Sequence, residues 1–203
     1  MGTGRLETFA DGVLAIAATL LILSVDSQVS SGTTRLGHDL LRIWPSYAAY
    51  AVSFVTIGVI WVNHHTVMNQ VRLVDRAFLL QNIVFLLCVA FIPFPTRLLA
   101  EHIRTTGATT AAVSYGVTLT VTAVMFNVIW LYASGGGGRL LRTDRDEAVV
   151  RGITRSYRPG PFMYLAATLV ALASATAAGV LYLMITVFYV VESSVFGRTR
   201  APS

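Results

Sequence analysis

Side chains that a bilayer would exclude recur at a few places in this sequence. Asp11 is the seventh residue of RLETFADGVLAIAATLLILSV, Asn63 and His64 lie in WVNHH, and Gln81 and Asn82 follow a short polar connection. A carboxylate, an imidazole and amides at one depth can do two kinds of chemistry. They can satisfy one another in a hydrogen-bonded network, or they can form a proton-sensitive gate, because an imidazole beside a carboxylate titrates near neutral pH. The network is the simpler reading, since an unpartnered polar group near lipid is costly. Adjacent His64 and His65 diverge by about 100° on a helix, which argues against a two-histidine metal site. Cys88 is the single cysteine and sits in an apolar run, so no intrachain disulfide or thiol metal centre is expected. No nucleophile elbow, H-E-x-x-H motif or pair of carboxylates within one span is present, so neither an enzyme nor a cofactor is expected.

Helices in a membrane must position these groups. The chain has 203 residues, 55% hydrophobic and 12% charged, against about 25% charged in an ordinary soluble domain. The expected class is an all-α integral membrane protein. Apolar runs near 9–25, 44–65, 78–99 and 109–133 give four spans. The run 162–196 is too long for one span of about 20 residues and long enough for a tight hairpin. A turn at Ala178-Gly179 divides it into 162–177 and 180–196, making six transmembrane helices in a single domain over 1–203. Glu7 and Asp11 precede the first apolar run and no small-x-small site follows, so that run is read as a span rather than a secretory signal.

The net charge of +5 comes entirely from arginine. The arginines lie in the connections between spans, which argues for membrane topology rather than nucleic-acid binding. With the N-terminus inside, Arg5, Arg72, Arg76, the arginines from Arg139 to Arg158, Arg198 and Arg200 fall on the inner side. Arg35, Arg42, Arg97 and Arg104 fall outside, so both termini are expected in the cytoplasm. The inner connection GGGGRLLRTDRDEAVVRGITRSYRPG reads as a flexible glycine run followed by a surface helix lying at anionic lipid headgroups.

Read as a helix, the opening stretch has two stripes. Arg5, Phe9, Gly12, Ile16, Thr19, Leu20 and Leu23 share one, and Glu7, Asp11, Ala15, Ala18 and Ile22 share the opposite one. The small residues around Asp11 predict that its stripe packs against other helices of the same subunit, where a partner can satisfy the carboxylate. Helix 2 returns to the level where helix 1 starts, bringing Asn63 and His64, and helix 3 leaves from it with Gln81 and Asn82. Three helices are therefore expected to share one polar layer.

RLETFAD resembles the R-x-x-x-F-S-D signature of the transmembrane protein 175 family, the endolysosomal potassium channels and their single-repeat bacterial relatives. Arg5, Phe9 and Asp11 fit, and Ala10 stands where the signature has serine. AIAATLLIL, WVNHH and QNIVFLLCVAFIPFPT are similar to the family's first three helices, while the second half is similar only in hydropathy. The resemblance implies cytoplasmic termini in a bacterial cell membrane and a homotetramer whose first helices line a central pore. It implies further that Ile16 is the hydrophobic constriction, that Thr19 is a pore hydroxyl one turn away, and that Leu20 and Leu23 form further apolar layers. Arg5, Phe9, Asp11, Trp61, His64 and Asn82 then belong to the inter-helix polar network.

A passive channel for monovalent cations is therefore expected, with K+ as the permeant ion and modest preference over Na+, because no T-V-G-Y-G filter occurs. The alternative is a proton-coupled secondary transporter, which would place an ionisable residue near the midplane of a discontinuous helix. Pro93 and Pro95 are expected to kink or end helix 3. Trp44, Tyr47 and Trp130 are expected as interfacial anchors, and Glu192 as a snorkelling or Arg198-paired acid.

Overall fold

The computed structural model describes residues 3–26 and 36–198, which form ten helices. Arg35 and Arg200, and the side chain of Arg198, lie outside the described set. Helix α1 (Gly4–Leu20) is followed by a short turn and α2 (Leu23–Asp26), and α3 (Leu36–Arg42) precedes the long α4 (Trp44–Met68). Next come α5 (Arg76–Phe91) and α6 (Pro93–His102), and then α7 (Ala108–Ser134), α8 (Glu147–Tyr157), α9 (Gly160–Ala171) and α10 (Ala175–Arg198). Five segments are long and apolar enough to cross a bilayer: Gly4–Val25, Trp44–Met68, Arg76–His102, Ala108–Ser134 and Ala175–Glu192. Helix α9, with 12 residues, is about 18 Å long and shorter than the hydrocarbon core of about 30 Å.

Local chemistry accounts for several boundaries. Asp75 caps α5 by accepting from the Phe78 amide at 2.8 Å, and Asp146 caps α8 through the Ala148 amide at 2.7 Å. Pro45 sits in the first turn of α4, where its missing N–H costs nothing. Pro93 interrupts the ladder between α5 and α6 at Ile92, so the helix expected to kink or end there breaks and resumes beyond it. The last hairpin turns at residues 172–174 rather than at Ala178-Gly179, which both lie inside α10. The deciding signal is Ser174, whose hydroxyl accepts from the Ala177 amide at 3.2 Å and starts α10. Ala178 is fully buried on that helix.

The helices pack side by side around shared neighbours. Helix α1 lies against α4 and α5, with further contact to α6, and α7 backs this group while packing against α9 and α10. Helix α10 also reaches α4. Phe85, Tyr115, Trp130 and Tyr182 are the large side chains at the centre. Trp130 is thus in the core, not an interfacial anchor, and its indole N–H donates to Thr154 at 2.8 Å. A β-carbon on Gly116 would overlap Tyr182 Oη and Thr168 Oγ1, which shows how closely α7 approaches α9 and α10. Leu80, Leu87, Phe162 and Leu172 are exposed on the outside, as an apolar solvent permits.

On the side of the molecule holding the N-terminus of α5, two connections are joined. The Arg72 and Leu73 amides donate to the Leu140 carbonyl at 2.9 and 3.2 Å, and the Arg142 amide donates to Gln70 at 2.8 Å. Gly136, Gly137 and Gly138 all have positive φ, and this left-handed run turns the chain from α7 back to the joint. Val71, Leu140 and Leu141 are buried there. Arg151 and Arg155 of α8, and Arg158 just past its end, are exposed, while Ile153 and Tyr157 face the bundle.

Candidate functional site

Helix α1 buries one narrow face, Leu6, Ala10, Leu14, Ala17 and Leu21, spaced three or four residues apart. The stripe of Arg5, Phe9, Gly12, Ile16, Thr19, Leu20 and Leu23 stands exposed, with Ile16 at 60% and Leu23 at 54% of full exposure. Thr19 donates its hydroxyl proton to the Ile16 carbonyl at 2.9 Å, so its oxygen presents only acceptor capacity to the outside, the polarity a cation needs. From Thr19 the helix tightens. The amides of Ile22, Ser24 and Val25 donate three residues back, to Thr19, Leu21 and Ile22, a 3₁₀ pattern that advances each residue by about 120° instead of 100°.

The Asp11 stripe corrects the expectation. Asp11 and Ala15 are exposed, Ile22 is half exposed, and Glu7 and Ala18 are half-buried, so this stripe does not face the interior of the subunit. Asp11 nevertheless finds a partner in its own chain: the Trp61 indole N–H donates to Oδ1 at 2.8 Å. The carboxylate is held at the edge of the α1–α4 contact, where Trp61 is itself half exposed.

The interior polar contact is a separate pair. His64 is 2% exposed and Asn82 fully buried. Asn82 Nδ2 donates to the Phe78 carbonyl at 2.8 Å, which leaves its Oδ1 as acceptor. That oxygen lies 3.1 Å from His64 Nε2, so the Nε2 position carries the proton. The imidazole stacks on Phe85 with ring centres 5.7 Å apart and an 8° tilt. The expected single layer therefore divides into an exposed Asp11–Trp61 bond and a buried His64–Asn82 bond. Arg5 has no hydrogen bond or ion pair among the described residues, Gln81 Oε1 is buried without a partner, and Asn63 points into a cavity behind the layer.

Other polar ties escaped the sequence reading. Ser53 of α4 shares hydrogen bonds with Thr96 of α6 at 2.9 Å and Tyr115 of α7 at 3.0 Å. Thr56 of α4 shares one with Thr186 of α10 at 2.9 Å. Single hydroxyls in apolar runs carry little pattern, and only their convergence marks them. Asp75 is a further junction, accepting from Tyr132 at 2.9 Å and from Arg139 at 3.3 Å besides capping α5. The Phe78 N–H first, and then Tyr132 and Arg139, hold its carboxyl below the usual carboxylate range. No group of three or more His, Cys, Asp or Glu that could hold a metal occurs among the described residues.

Residues 5–93 match the family described as endosomal/lysosomal potassium channel TMEM175. A potassium channel of Chamaesiphon minutus is 44% identical over 167 residues, 81% of this chain and 82% of the relative. The chain belongs to the TMEM175 family. A potassium channel of Streptomyces collinus is 45% identical over 136 residues, 66% of this chain and 66% of the relative. The crystal structure of a lysosomal potassium-selective channel TMEM175 homolog from Chamaesiphon minutus matches with a TM-score of 0.82 at 35% identity, covering 94% of this chain and 97% of that one. The TMEM175 match to residues 5–93 spans α1 through α5 and the first residue of α6. It thus contains Ile16, Thr19, Asp11, Trp61, His64 and Asn82.

Proposed function

We propose that this TMEM175 protein is a potassium channel, formed by four copies around a central axis lined by the exposed stripe of α1. Ile16 forms the constriction, Thr19 supplies hydroxyl oxygens, and Leu20 and Leu23 continue an apolar passage. An apolar neck of this kind sheds water and opposes a hydrated cation, and partial replacement of the hydration shell by Thr19 favours K+ over Na+ modestly. Helix α9 joins the five longer helices as a sixth, partial span. Both termini lie in the cytoplasm and the protein resides in the plasma membrane of a bacterial cell, the side richer in arginine being inside.

The observation that carries this reading is the exposure of Ile16, Thr19 and Leu23 on the side of α1 turned away from its buried face. A single copy gives these residues nothing to enclose, and a closed ring of copies does. Cysteine substitution tests it. In reconstituted channels, water-soluble thiol reagents should block K+ current through cysteines at 16, 19 and 23 and leave 14 and 17 unmodified. Modification confined to 11, 15 and 22 would place the other stripe on the axis and refute the assignment. A mass of one subunit at native membrane density would refute the pore itself.

A further inference from the structure

Behind the polar layer, each subunit holds a cavity of about 60 Å³ between α4, α7, α9 and α10, away from the exposed stripe of α1. Its walls include Asn63 of α4, Ala123 and Phe126 of α7, Gly160 and Tyr164 of α9, and Tyr189 of α10. Tyr164 and Tyr189 are 8% and 7% exposed. Neither hydroxyl makes a hydrogen bond to any described residue, and the Asn63 amide makes none either. Gly160 leaves the room: a β-carbon there would come within 2.8 Å of Tyr189 Oη. Nearby polar groups are already satisfied within the chain, Thr186 by Thr56 and the Tyr182 carbonyl, and Asn127 by the Ala123 and Tyr157 carbonyls.

We propose that this cavity is a binding site for a cluster of ordered water molecules bridging Asn63, Tyr164 and Tyr189. Three unpartnered polar groups on three helices line one space that carries no charged side chain, which selects a small neutral molecule able both to donate and to accept. An acyl chain would leave all three unsatisfied. The volume is well below the roughly 150 Å³ that admits benzene, and at roughly 15 Å³ per molecule it holds about four waters. Such a cluster joins α4, which carries Trp61 and His64, to α9 and α10 through exchangeable hydrogen bonds. The assignment stands on the cavity alone and is independent of what the pore conducts.

Millisecond X-ray radiolysis, which generates hydroxyl radicals from bound water in place, tests it on the full-length protein in lipid nanodiscs. Tyr164 and Tyr189 should be oxidised at least tenfold faster than Trp130 and Phe78, which are also buried, at 1% and 0% exposure, and do not line the cavity. Ala123→Leu, which fills the space, should bring both tyrosines down to the Trp130 rate. Wild-type tyrosines no faster than Trp130 would mean a dry or lipid-filled cavity and would overturn the proposal whatever the variant does. Unchanged fast oxidation in a folded Ala123→Leu protein would place the water elsewhere and overturn it equally.

Discussion

The buried His64–Asn82 bond is the contact on which the arrangement of α4 and α5 should depend most. Asn82→Leu keeps the volume and removes the acceptor, leaving the His64 Nε2–H unpaired at 2% exposure. An orphaned buried donor costs about 1–3 kcal/mol, and the lost bond to the Phe78 carbonyl adds about 1 kcal/mol, for a total of roughly 2–4 kcal/mol. His64→Phe preserves the stack on Phe85 and orphans Asn82 Oδ1 instead, at about 1–3 kcal/mol. The double variant has no orphan, so both orphan costs should drop out, a recovery of roughly 2–6 kcal/mol of the summed losses. Unfolding free energies from detergent titration, measured for all four proteins, give the coupling directly. Strict additivity would show that the two side chains do not sense each other and that the packing of α4 and α5 has another origin.

Three further outcomes follow from the same geometry. Ile16→Asn should keep the proposed neck wet, raising K+ current and lowering the K+/Na+ permeability ratio in bilayer recordings, whereas Ala17→Asn, on the buried face, should lower stability by about 1–3 kcal/mol. Because the folded Asp75 carboxyl is held below its ordinary range, its contribution is complete above that range and lost as pH falls through the depressed value. Amide exchange at Arg72, Leu73 and Arg142, corrected for intrinsic rate, should therefore accelerate in acid, and Asp75→Asn should show the fast rate already at neutral pH. Gly116→Ala must displace Tyr182 and Thr168, an overpacking of about 1–3 kcal/mol that a lowered melting temperature would register.

How much the sequence disclosed depended on contrast. Long apolar runs separated by arginines and prolines stand out, so four of them coincide with segments long and apolar enough to cross a bilayer. The last hairpin did not, because the glycine at 179 looked like a turn while the actual start of α10 rests on one hydroxyl, that of Ser174. Periodicity grouped the exposed Ile16 side of α1 into one stripe, yet it placed the Asp11 stripe inside and left out the face that is buried. In lipid the outer face is as apolar as the core, so Leu6, Leu14 and Leu21 carry no more signal than Ile16, Leu20 and Leu23. The partner of Asp11 was nevertheless within reach of the WVNHH motif. The joint between residues 70–73 and 140–142 was invisible because it is made of backbone bonds.

The breadth of the uncovered surface on α1 constrains how copies can meet. Taking about 100° per residue, the buried face centres on Ala10, the Ile16 stripe lies roughly 130° to one side, and Asp11 roughly 100° to the other. In the proposed tetramer one of these must face the axis and the other a neighbouring subunit. A ring of four bare carboxylates at the axis would repel itself and hold water, which conflicts with an apolar neck. Asp11 already has the Trp61 N–H at 2.8 Å and lacks a cationic partner among the described residues, while Arg5 on the other stripe lacks an anionic one. A neighbouring copy can serve Asp11: it covers that edge of α1 and brings a second set of polar groups to the same level. In the proposed tetramer Asp11 then works at the contact between copies, and the axis is left to the stripe of Ile16, Thr19, Leu20 and Leu23, with Arg5 on the same side of the helix.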